Sequence, residues 1–393
     1  MTLDWRSRLI HPQVSVPQGF RSLATPVYRG STTLLESAAD VTDHWDQRRV
    51  QYSYGQYGTP TTFELAARIA ALENGAHTFI TPGGQSAISL VYFACTRAGG
   101  HVLLPDAVYG PNRDFADRII AKLGIEPEYY DPLIGGEIAA LIRPNTQLIW
   151  CESPCSVTME VQDTPAIAAA ARAAGVVTAL DNTYAAGVHF EAFKHGVDVS
   201  IQALTKYVGG HSDILLGSVT LADEKLYEAL GDAQQLIGFG VSPDDCSLAL
   251  RGLQTLGVRL RQLEESALQL ASWLAQQPEI EKVLHPALPD CPGHELWKRD
   301  FTGSSSVFSV VFAAHVARDD IVRFIDSLQL FKLGYSWGGV TSLVLPHFGV
   351  VRRRRPSYGD RLVRFNVGLE APRDLIDDLQ RAFSILRGTD ATG

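Results

Sequence analysis

Residues 176–206 read VVTALDNTYAAGVHFEAFKHGVDVSIQALTK and contain two short apolar runs, each followed by a charged side chain. The runs VVTAL and VSIQAL are typical of buried strands because they are short, apolar and contain β-branched residues. Asp181 comes directly after the first run, and Lys206 lies just past the second. Ligands of an α/β sheet bind outside the carboxyl ends of its strands, so we expect this acid and this amine at one edge of a sheet.

Other strand-like runs precede this stretch and alternate with helical runs. The strand-like runs are HTFIT, HVLLPD and TQLIWCES, and the helical runs between them include AISLVYFACTRA and TPAIAAAARAAG. An earlier helix, FELAARIAALEN, is expected to be capped by Thr61 or Thr62 and to stop at Gly75. The alternation predicts an α/β fold with a large, mainly parallel sheet.

Three regions differ in their sequence character. Residues 1–58 are rich in Gly, Ser, Thr, Pro and Tyr and lack periodicity, so we expect an extended N-terminal arm that contacts a neighbouring subunit. The regular alternation over 59–255 predicts the main domain. A helical run, a strand-like run and a last helix over 256–393 predict a smaller C-terminal α+β domain.

Composition favours chemistry on a small molecule. The 393 residues carry 34 Lys and Arg against 43 Asp and Glu, a net charge of -9 that would repel a nucleic-acid backbone. Five cysteines without a CxxC pair indicate neither a disulfide framework nor a zinc site. No signal peptide or membrane span is evident, so we expect a cytoplasmic protein. The basic run Arg352–Arg355 is read as a solvated loop, or as a loop at the mouth of an acidic substrate's pocket.

The segment Thr81-Pro82-Gly83-Gly84-Gln85-Ser86 lies between a predicted strand and a predicted helix. Glycine lets backbone amides approach an anion closely, and a helix N-terminus adds unpaired donors and a favourable dipole. A phosphate could therefore bind here, although glycines also occur in such turns for purely geometric reasons.

The joint arrangement indicates a pyridoxal-phosphate (PLP) site, since an anion cradle, an acid and an amine occur together. Taken alone, Asp181 could be a turn former and Lys206 an exposed surface lysine. Tyr109, after HVLLPD, offers an aromatic plane at another strand end. Arg364 in RLVRFNVG could bind an α-carboxylate through two hydrogen bonds, with core packing as its alternative explanation.

Several segments resemble the cystathionine β-lyase branch of the PLP-dependent family of Cys and Met metabolism, over nearly the whole chain. These segments are Tyr54-Gly55 with Gly58-Thr59, 131–135, Glu152-Ser153-Pro154 with Thr158-Met159-Glu160, 181–183, 200–203 with 205–207, and 335–339. The resemblance implies the aspartate-aminotransferase-like fold (fold type I). It also implies a homotetramer built from dimers, with active sites shared between subunits.

The resemblance also implies roles for individual residues. Lys206 would form the Schiff base, Asp181 would pair with the pyridine nitrogen and Tyr109 would stack on the ring, with Lys206, Tyr109 and Tyr54 catalytic. The implied cofactor-binding positions are Lys206, Asp181, Tyr109, Gly83, Gly84, Gln85, Thr205, Ala203, Tyr54 and Gln56. The implied substrate-binding positions are Arg364, Ser336, Trp337 and Asp114.

One position departs from the family pattern. The family commonly has an arginine two residues after the tyrosine that reaches the phosphate from the neighbouring subunit, and here Gln56 stands there. A charge-assisted contact is about twice as strong as a neutral one, so we expect either a compensating group or weaker cofactor binding.

The reaction implied by the resemblance is β-elimination on cystathionine or a related amino acid. The closest alternative is γ-elimination or γ-replacement on a γ-substituted amino acid, such as a canavanine-type substrate. A nicotinamide-dependent oxidoreductase is disfavoured because no G-x-G-x-x-G opens a βαβ unit. A binding protein without activity is disfavoured because Lys206, Asp181, Tyr109 and Arg364 occur together.

Overall fold

A computed structural model describes residues 4–11, 22–349 and 358–388, so the run Arg352–Arg355 lies outside the described residues. Across those ranges the strands are β1 His77–Thr81, β2 His101–Pro105, β3 Glu126–Tyr130, β4 Thr146–Glu152, β5 Val177–Asp181, β6 Val199–Gln202, β7 Gly217–Leu221, β8 Ile280–Leu284, β9 Val307–Phe312, β10 Lys332–Leu333, β11 Leu343–Pro346 and β12 Leu362–Asn366. The α-helices there are α1 Trp5–Ile10, α2 Pro60–Glu73, α3 Gly84–Cys95, α4 Gly110–Phe115, α5 Thr164–Ala173, α6 Tyr227–Ile237, α7 Pro243–Leu274, α8 His294–Asp300, α9 Arg318–Ser327 and α10 Pro372–Arg387.

The main sheet has seven strands in the order β1-β7-β6-β5-β4-β2-β3. The strands from β6 to β3 in this order are parallel, and β7 is antiparallel to both of its neighbours. The expected large, mainly parallel sheet is therefore confirmed. The carboxyl ends of β4, β5 and β6 lie side by side, because Glu152 pairs with Asp181 and Asp181 pairs with Ile201.

Helices cover both faces of this sheet, which explains why a central strand such as β2 is continuously apolar. All five residues of β2 are buried. Successive side chains of a strand point to opposite faces. Accordingly, Val102 and Leu104 pack in the cluster that holds α3 residues, whereas Leu103 packs with residues of α5.

A second sheet of five strands, in the order β10-β11-β12-β9-β8, forms the smaller C-terminal unit. It is antiparallel apart from the pair β10 and β11. Its core combines apolar residues of β9 and β12 with the apolar faces of α9 and α10. The single helix α7 runs through the expected domain boundary at 255 and 256, so this boundary stays a prediction.

The described part of the N-terminal region packs on its own chain, as helix α1 and Trp45 show. Helix α1, which the sequence did not predict, contacts α2 and α7 and buries Leu9. The Trp45 ring lies against Gly231 of α6, where a Cβ atom would come within 2.1 Å of the ring. Its indole Nε1 donates to Asp232 at 2.7 Å. Contact with a neighbouring subunit stays a prediction.

The start of α2 differs from the sequence expectation. The N-cap is Thr59 rather than Thr61 or Thr62, and Pro60 takes the first helical position. Proline is favoured there because its fixed φ suits the helix and its missing N–H needs no partner. The helix ends at Glu73, followed by Asn74 in the left-handed conformation and then Gly75, close to the expected stop.

Two features are absent from the described ranges. No helix in 4–11, 22–349 or 358–388 is long and apolar enough to cross a bilayer. In the same ranges, no group of three or more His, Cys, Asp or Glu side chains is arranged to hold a metal ion.

Candidate active site

A cavity of about 330 Å³ opens at the carboxyl ends of β4, β5 and β6, beside the N-terminus of α3. It brings together most of the residues that the sequence predicted. Those lining it are Gly83, Gly84, Gln85, Tyr109, Asp181, Ala203, Thr205, Lys206 and Trp337. Side chains that the sequence did not predict also line it, among them Glu152, Thr183, Tyr184, Met159 and Val307.

Lys206 lies four residues past the end of β6 and extends into the cavity. Its Nζ donates a hydrogen bond of 2.6 Å to Ser336 Oγ and lies 5.4 Å from the centre of the Trp337 ring. Burial and, next, the charge of Arg364 lower the pKa of Lys206 to about 8, against an opposing effect of Asp181. A substantial fraction of this amine is therefore neutral at slightly alkaline pH, as nucleophilic and basic lysines require.

Asp181 is the last residue of β5, as expected from the sequence. Its Oδ1 accepts a hydrogen bond of 3.0 Å from the Thr183 N–H, and Thr183 Oγ1 accepts one of 2.9 Å from the Ala203 N–H. Burial raises the pKa of Asp181, whereas hydrogen bonding from Thr183 and the charge of Lys206 lower it. A desolvated carboxylate of this kind is stabilised by a nearby cation.

Glu152 is a buried acid of the site that the sequence reading did not assign. Its Oε2 accepts from the Tyr109 N–H at 2.7 Å, and its Oε1 accepts from the Ser156 N–H at 2.7 Å. Burial and, next, the charge of Asp181 raise the pKa of Glu152 well above its usual value. Glu152 therefore holds the backbone of Tyr109 beside the cavity. Glu152 ends the strand-like run TQLIWCE. The rule that site residues lie at the carboxyl ends of strands, which selected Asp181, could therefore also have selected Glu152.

The anion cradle forms where β1 leads into α3. The first intrahelical bond runs from Ala87 N–H to Gly83 O at 3.0 Å, which leaves the amides of 84–86 without helical acceptors. A Cβ atom on Gly84 would lie 2.7 Å from Ala203 Cβ, so only glycine lets α3 approach this segment so closely. Gln85 Oε1 is buried at the cavity without a hydrogen-bond partner in the described chain.

Arg364 lies in the middle of β12 and is 7% exposed. Its Nη2 donates to the Ser336 carbonyl at 3.3 Å, and no carboxylate among the described residues forms an ion pair with it. Burial lowers the pKa of Arg364 to about 10, and the group remains cationic at neutral pH. A buried guanidinium that lacks an acidic partner fits a ligand carboxylate better than simple core packing.

Comparison with known proteins accounts for this arrangement. The model of the Cys/Met metabolism PLP-dependent enzyme family matches residues 6–384. The chain belongs to this family. It is 41% identical over 367 residues to the cystathionine beta-lyase of Escherichia coli (strain K12), covering 91% of this chain and 93% of the relative. It is 40% identical over 367 residues to that of Haemophilus influenzae, covering 91% and 92%. The crystal structure of a Lactobacillus plantarum cystathionine gamma-lyase complexed with L-serine superposes with a TM-score of 0.90 at 28% identity, covering 98% of this chain and 100% of that chain.

PLP, the cofactor of this family, suits the residues that line the cavity. The free amides at the start of α3 offer hydrogen-bond donors to a phosphate group. Asp181 offers a desolvated carboxylate to a pyridinium nitrogen, and Lys206 offers an amine of lowered pKa. Fold type I and dependence on PLP therefore agree with the sequence expectation.

Five residues predicted for the site do not line this cavity in their own chain, namely Tyr54, Gln56, Asp114, Ser336 and Arg364, although hydrogen bonds join Ser336 to both Lys206 and Arg364. Tyr54 is 47% exposed, and Gln56 Nε2 donates to the Gln235 carbonyl at 3.0 Å. Asp114 lies on α4, the helix that follows Tyr109. Sequence cannot reveal which chain of an assembly supplies a side chain, so the roles of Tyr54 and Gln56 across a subunit boundary stay predictions.

Proposed function

We propose that this protein is a carbon–sulfur lyase that performs β-elimination on cystathionine or a related amino acid and yields homocysteine, pyruvate and ammonia. The observation that carries the proposal is that Lys206 and Asp181 line one cavity, and that Ser336 links Lys206 to the buried Arg364, in a chain 40–41% identical to named cystathionine beta-lyases. A nicotinamide-dependent oxidoreductase and an inactive binding protein are both poorer explanations of this chain.

The residues divide between holding the cofactor and holding the substrate. Lys206 would hold PLP covalently, Asp181 would face its ring nitrogen, and Gly83, Gly84, Gln85, Ala203 and Thr205 would surround its phosphate. Bound PLP supplies an electron sink for the substrate's α-carbon. Tyr109 would stack on the ring, and its backbone N–H is held by Glu152 at 2.7 Å.

The proton movements fall to Lys206. Its Nζ removes the proton from the substrate's α-carbon and can return a proton to the sulfur that leaves from the β-carbon. Arg364 would bind the α-carboxylate in a bidentate pair. Ser336 links the two groups, because its hydroxyl accepts from Lys206 and its carbonyl accepts from Arg364.

The cavity also suits an apolar thioether. Met159, Val307 and Trp337 line it, and apolar walls exclude water while the carbon–sulfur bond breaks. We propose that Trp337 and Asp114 lie near the distal end of the substrate. Expulsion of a thiolate from the β-carbon leaves an unsaturated amine, which water converts to pyruvate and ammonia.

A substrate panel tests the proposal against γ-elimination, which the likeness to a cystathionine gamma-lyase structure keeps as the second candidate. Cystathionine, cystine, methionine, homoserine derivatives and canavanine would be offered separately, and each product identified. Pyruvate with homocysteine from cystathionine supports β-elimination. An α-ketobutyrate or homoserine product would contradict it and support γ-chemistry.

The wider setting is also part of the proposal. We expect a cytoplasmic homotetramer with shared active sites that acts in methionine biosynthesis on a small amino acid and binds neither nucleic acid nor membranes. The net charge of -9 and five unpaired cysteines support this setting. Placement of Tyr54 and Gln56 outside their own chain's cavity supports shared sites.

A further inference from the structure

The turn Ser336–Gly338 contacts both Lys206 and Arg364, and its backbone is in an unfavourable conformation. Ser336 has a φ of 80° and Gly338 also has a φ of 80°. A positive φ is costly for a residue that carries a Cβ, so surrounding contacts must hold Ser336 in place. A Cβ on Gly338 would lie 3.2 Å from Lys206 Cβ, which shows how closely the turn packs on the lysine.

Asn366, two residues after Arg364 on β12, supplies contacts that hold this turn. Its Oδ1 accepts from the Gly338 N–H at 2.9 Å, and its Nδ2 donates to the Thr341 carbonyl at 3.2 Å. The side chain is 2% exposed, so these backbone groups have little access to water as an alternative partner. The amide orientation is determined, because one end meets donors and the other meets a carbonyl.

The same amide is joined to the residue that follows Lys206. Ser306 Oγ donates to Asn366 Oδ1 at 2.8 Å, and Ser306 Oγ lies 2.8 Å from Tyr207 Oη. A hydroxyl has one proton, so Tyr207 must be the donor to Ser306. Burial raises the pKa of Tyr207 to about 12, which keeps this donor protonated. Hydrogen bonds therefore run from Tyr207 through Ser306 and Asn366 to Gly338.

We propose that Asn366 is a positioning residue that holds the Ser336–Gly338 turn between Lys206 and Arg364. The turn would thereby keep the Lys206 amine and the Arg364 guanidinium at a fixed separation. The inference rests on the proposed role of Arg364 in binding the substrate's α-carboxylate. Asn366 would touch neither substrate nor cofactor and would act only through the turn.

The test replaces Asn366 by leucine, which is similar in size but forms no hydrogen bonds. We expect the KM for cystathionine and the Kd for glycine each to rise roughly tenfold, because buried groups of the turn lose their partners. Glycine binding is measured from the change in cofactor absorbance. If the turn moves, Ser336 Oγ no longer accepts a hydrogen bond from Lys206. Because that hydroxyl stabilises the charged amine, labelling of Lys206 by an amine reagent in the apoprotein should then shift to lower pH.

Asp378→Asn is the matched control. Asp378 is buried in the same domain and accepts from Gln329 and Leu330 backbone amides, at 2.9 Å and 2.8 Å, without contacting the turn. It should lower thermal stability while leaving KM, Kd and the labelling profile unchanged. Equal changes in both variants would overturn the proposal, because they would reflect general destabilisation.

Arg364→Lys separates failure of this inference from failure of the proposed binding of the α-carboxylate by Arg364. If Arg364→Lys weakens glycine binding and Asn366→Leu does not, the role of Arg364 stands and the role of Asn366 is wrong. If neither variant weakens binding, both are wrong. Tyr207→Phe, which removes only the donor hydroxyl, should give a smaller change of the same sign.

Discussion

The amine of Lys206 lies in a cavity that removes much of its hydration, and this sets the pH at which it becomes reactive. Its pKa is lowered to about 8, so the neutral fraction should increase as pH rises through that value. In the apoprotein, modification of Lys206 by an amine-reactive reagent, followed by peptide mass spectrometry, should reach half its maximal rate near this pH.

Two variants check the causes of that shift. Arg364→Gln removes a positive neighbour and should move the midpoint to higher pH, whereas Asp181→Asn removes a negative neighbour and should move it lower. If the labelling midpoint of the wild-type protein lay near the pKa of a free lysine, Lys206 would be more hydrated than the structure indicates.

The family resemblance predicts an arginine near the cofactor phosphate at the position that Gln56 occupies. The nearby cations of the arm are already engaged, since Arg48 contacts Asp46 and Arg49 contacts Asp46 and Glu228. Hydrogen bonds to charged partners contribute about 1.5–3 kcal/mol, so Gln56→Arg should strengthen PLP retention roughly tenfold. Equilibrium dialysis measures this, and equal or weaker retention would mean that the phosphate charge is already met.

The start of α3 provides a pair of adjacent glycines with different steric surroundings. A Cβ on Gly83 would meet nothing within 4 Å in the chain, and its φ of 177° suits any residue, whereas a Cβ on Gly84 would meet Ala203. Gly83→Ala should therefore leave the melting temperature of the apoprotein unchanged but weaken PLP binding, because the new methyl enters the space of the phosphate. Gly84→Ala should lower both the melting temperature of the apoprotein and the affinity for PLP.

Calorimetry of the apoprotein and PLP titration distinguish these cases. Unchanged PLP affinity in Gly83→Ala would place the phosphate elsewhere. A stable Gly84→Ala apoprotein would show that the segment at Ala203 can move aside without cost.

Strands were predictable from sequence where both faces are buried, because a short apolar run then has a strong signal. β2 and β5 show this clearly. In contrast, β3 reads Glu126–Tyr130 and includes two glutamates and a proline, since it lies at the edge of the sheet and is partly exposed. The sequence also did not predict β7, because GSVTL is a short run of mainly small residues. Its pairing with β1 depends on a distant part of the sequence.

Site residues were predictable where a strand end or a loop glycine places them. Asp181, Lys206 and Gly83 follow this rule, and Glu152 would also have followed it. Asn366 gave no such signal, because its role depends on a turn that approaches from another part of the chain. Contacts between distant segments are not encoded in local periodicity.

At the scale of the whole molecule, the proposed sharing of sites can be tested by mixing inactive subunits. Tyr54→Ala and Lys206→Ala should each be nearly inactive. A mixed dimer would combine intact Tyr54 from one subunit with intact Lys206 from the other at one of its two sites. Random reassembly should then restore roughly a quarter of wild-type activity, as expected for a two-fold assembly.

Reassembly after mild denaturation, with each variant refolded alone as the control, measures the recovery. Recovery no greater than the sum of the single variants would place Tyr54 and Lys206 in the same subunit's site. It would then require the N-terminal region to be arranged differently from the proposed shared site.

The antiparallel strand β7 between β1 and β6 also determines when the chain can acquire its cofactor. β1 carries the anion cradle, yet it joins the sheet only by pairing His77 with Leu221 and its neighbours. Pairing between such distant segments forms slowly, because a long loop must close first. During synthesis, β1 cannot pair into the sheet until β7 has left the ribosome. A nascent chain that ends before Gly217 should therefore show no cofactor capture, however much of its helical structure has already formed.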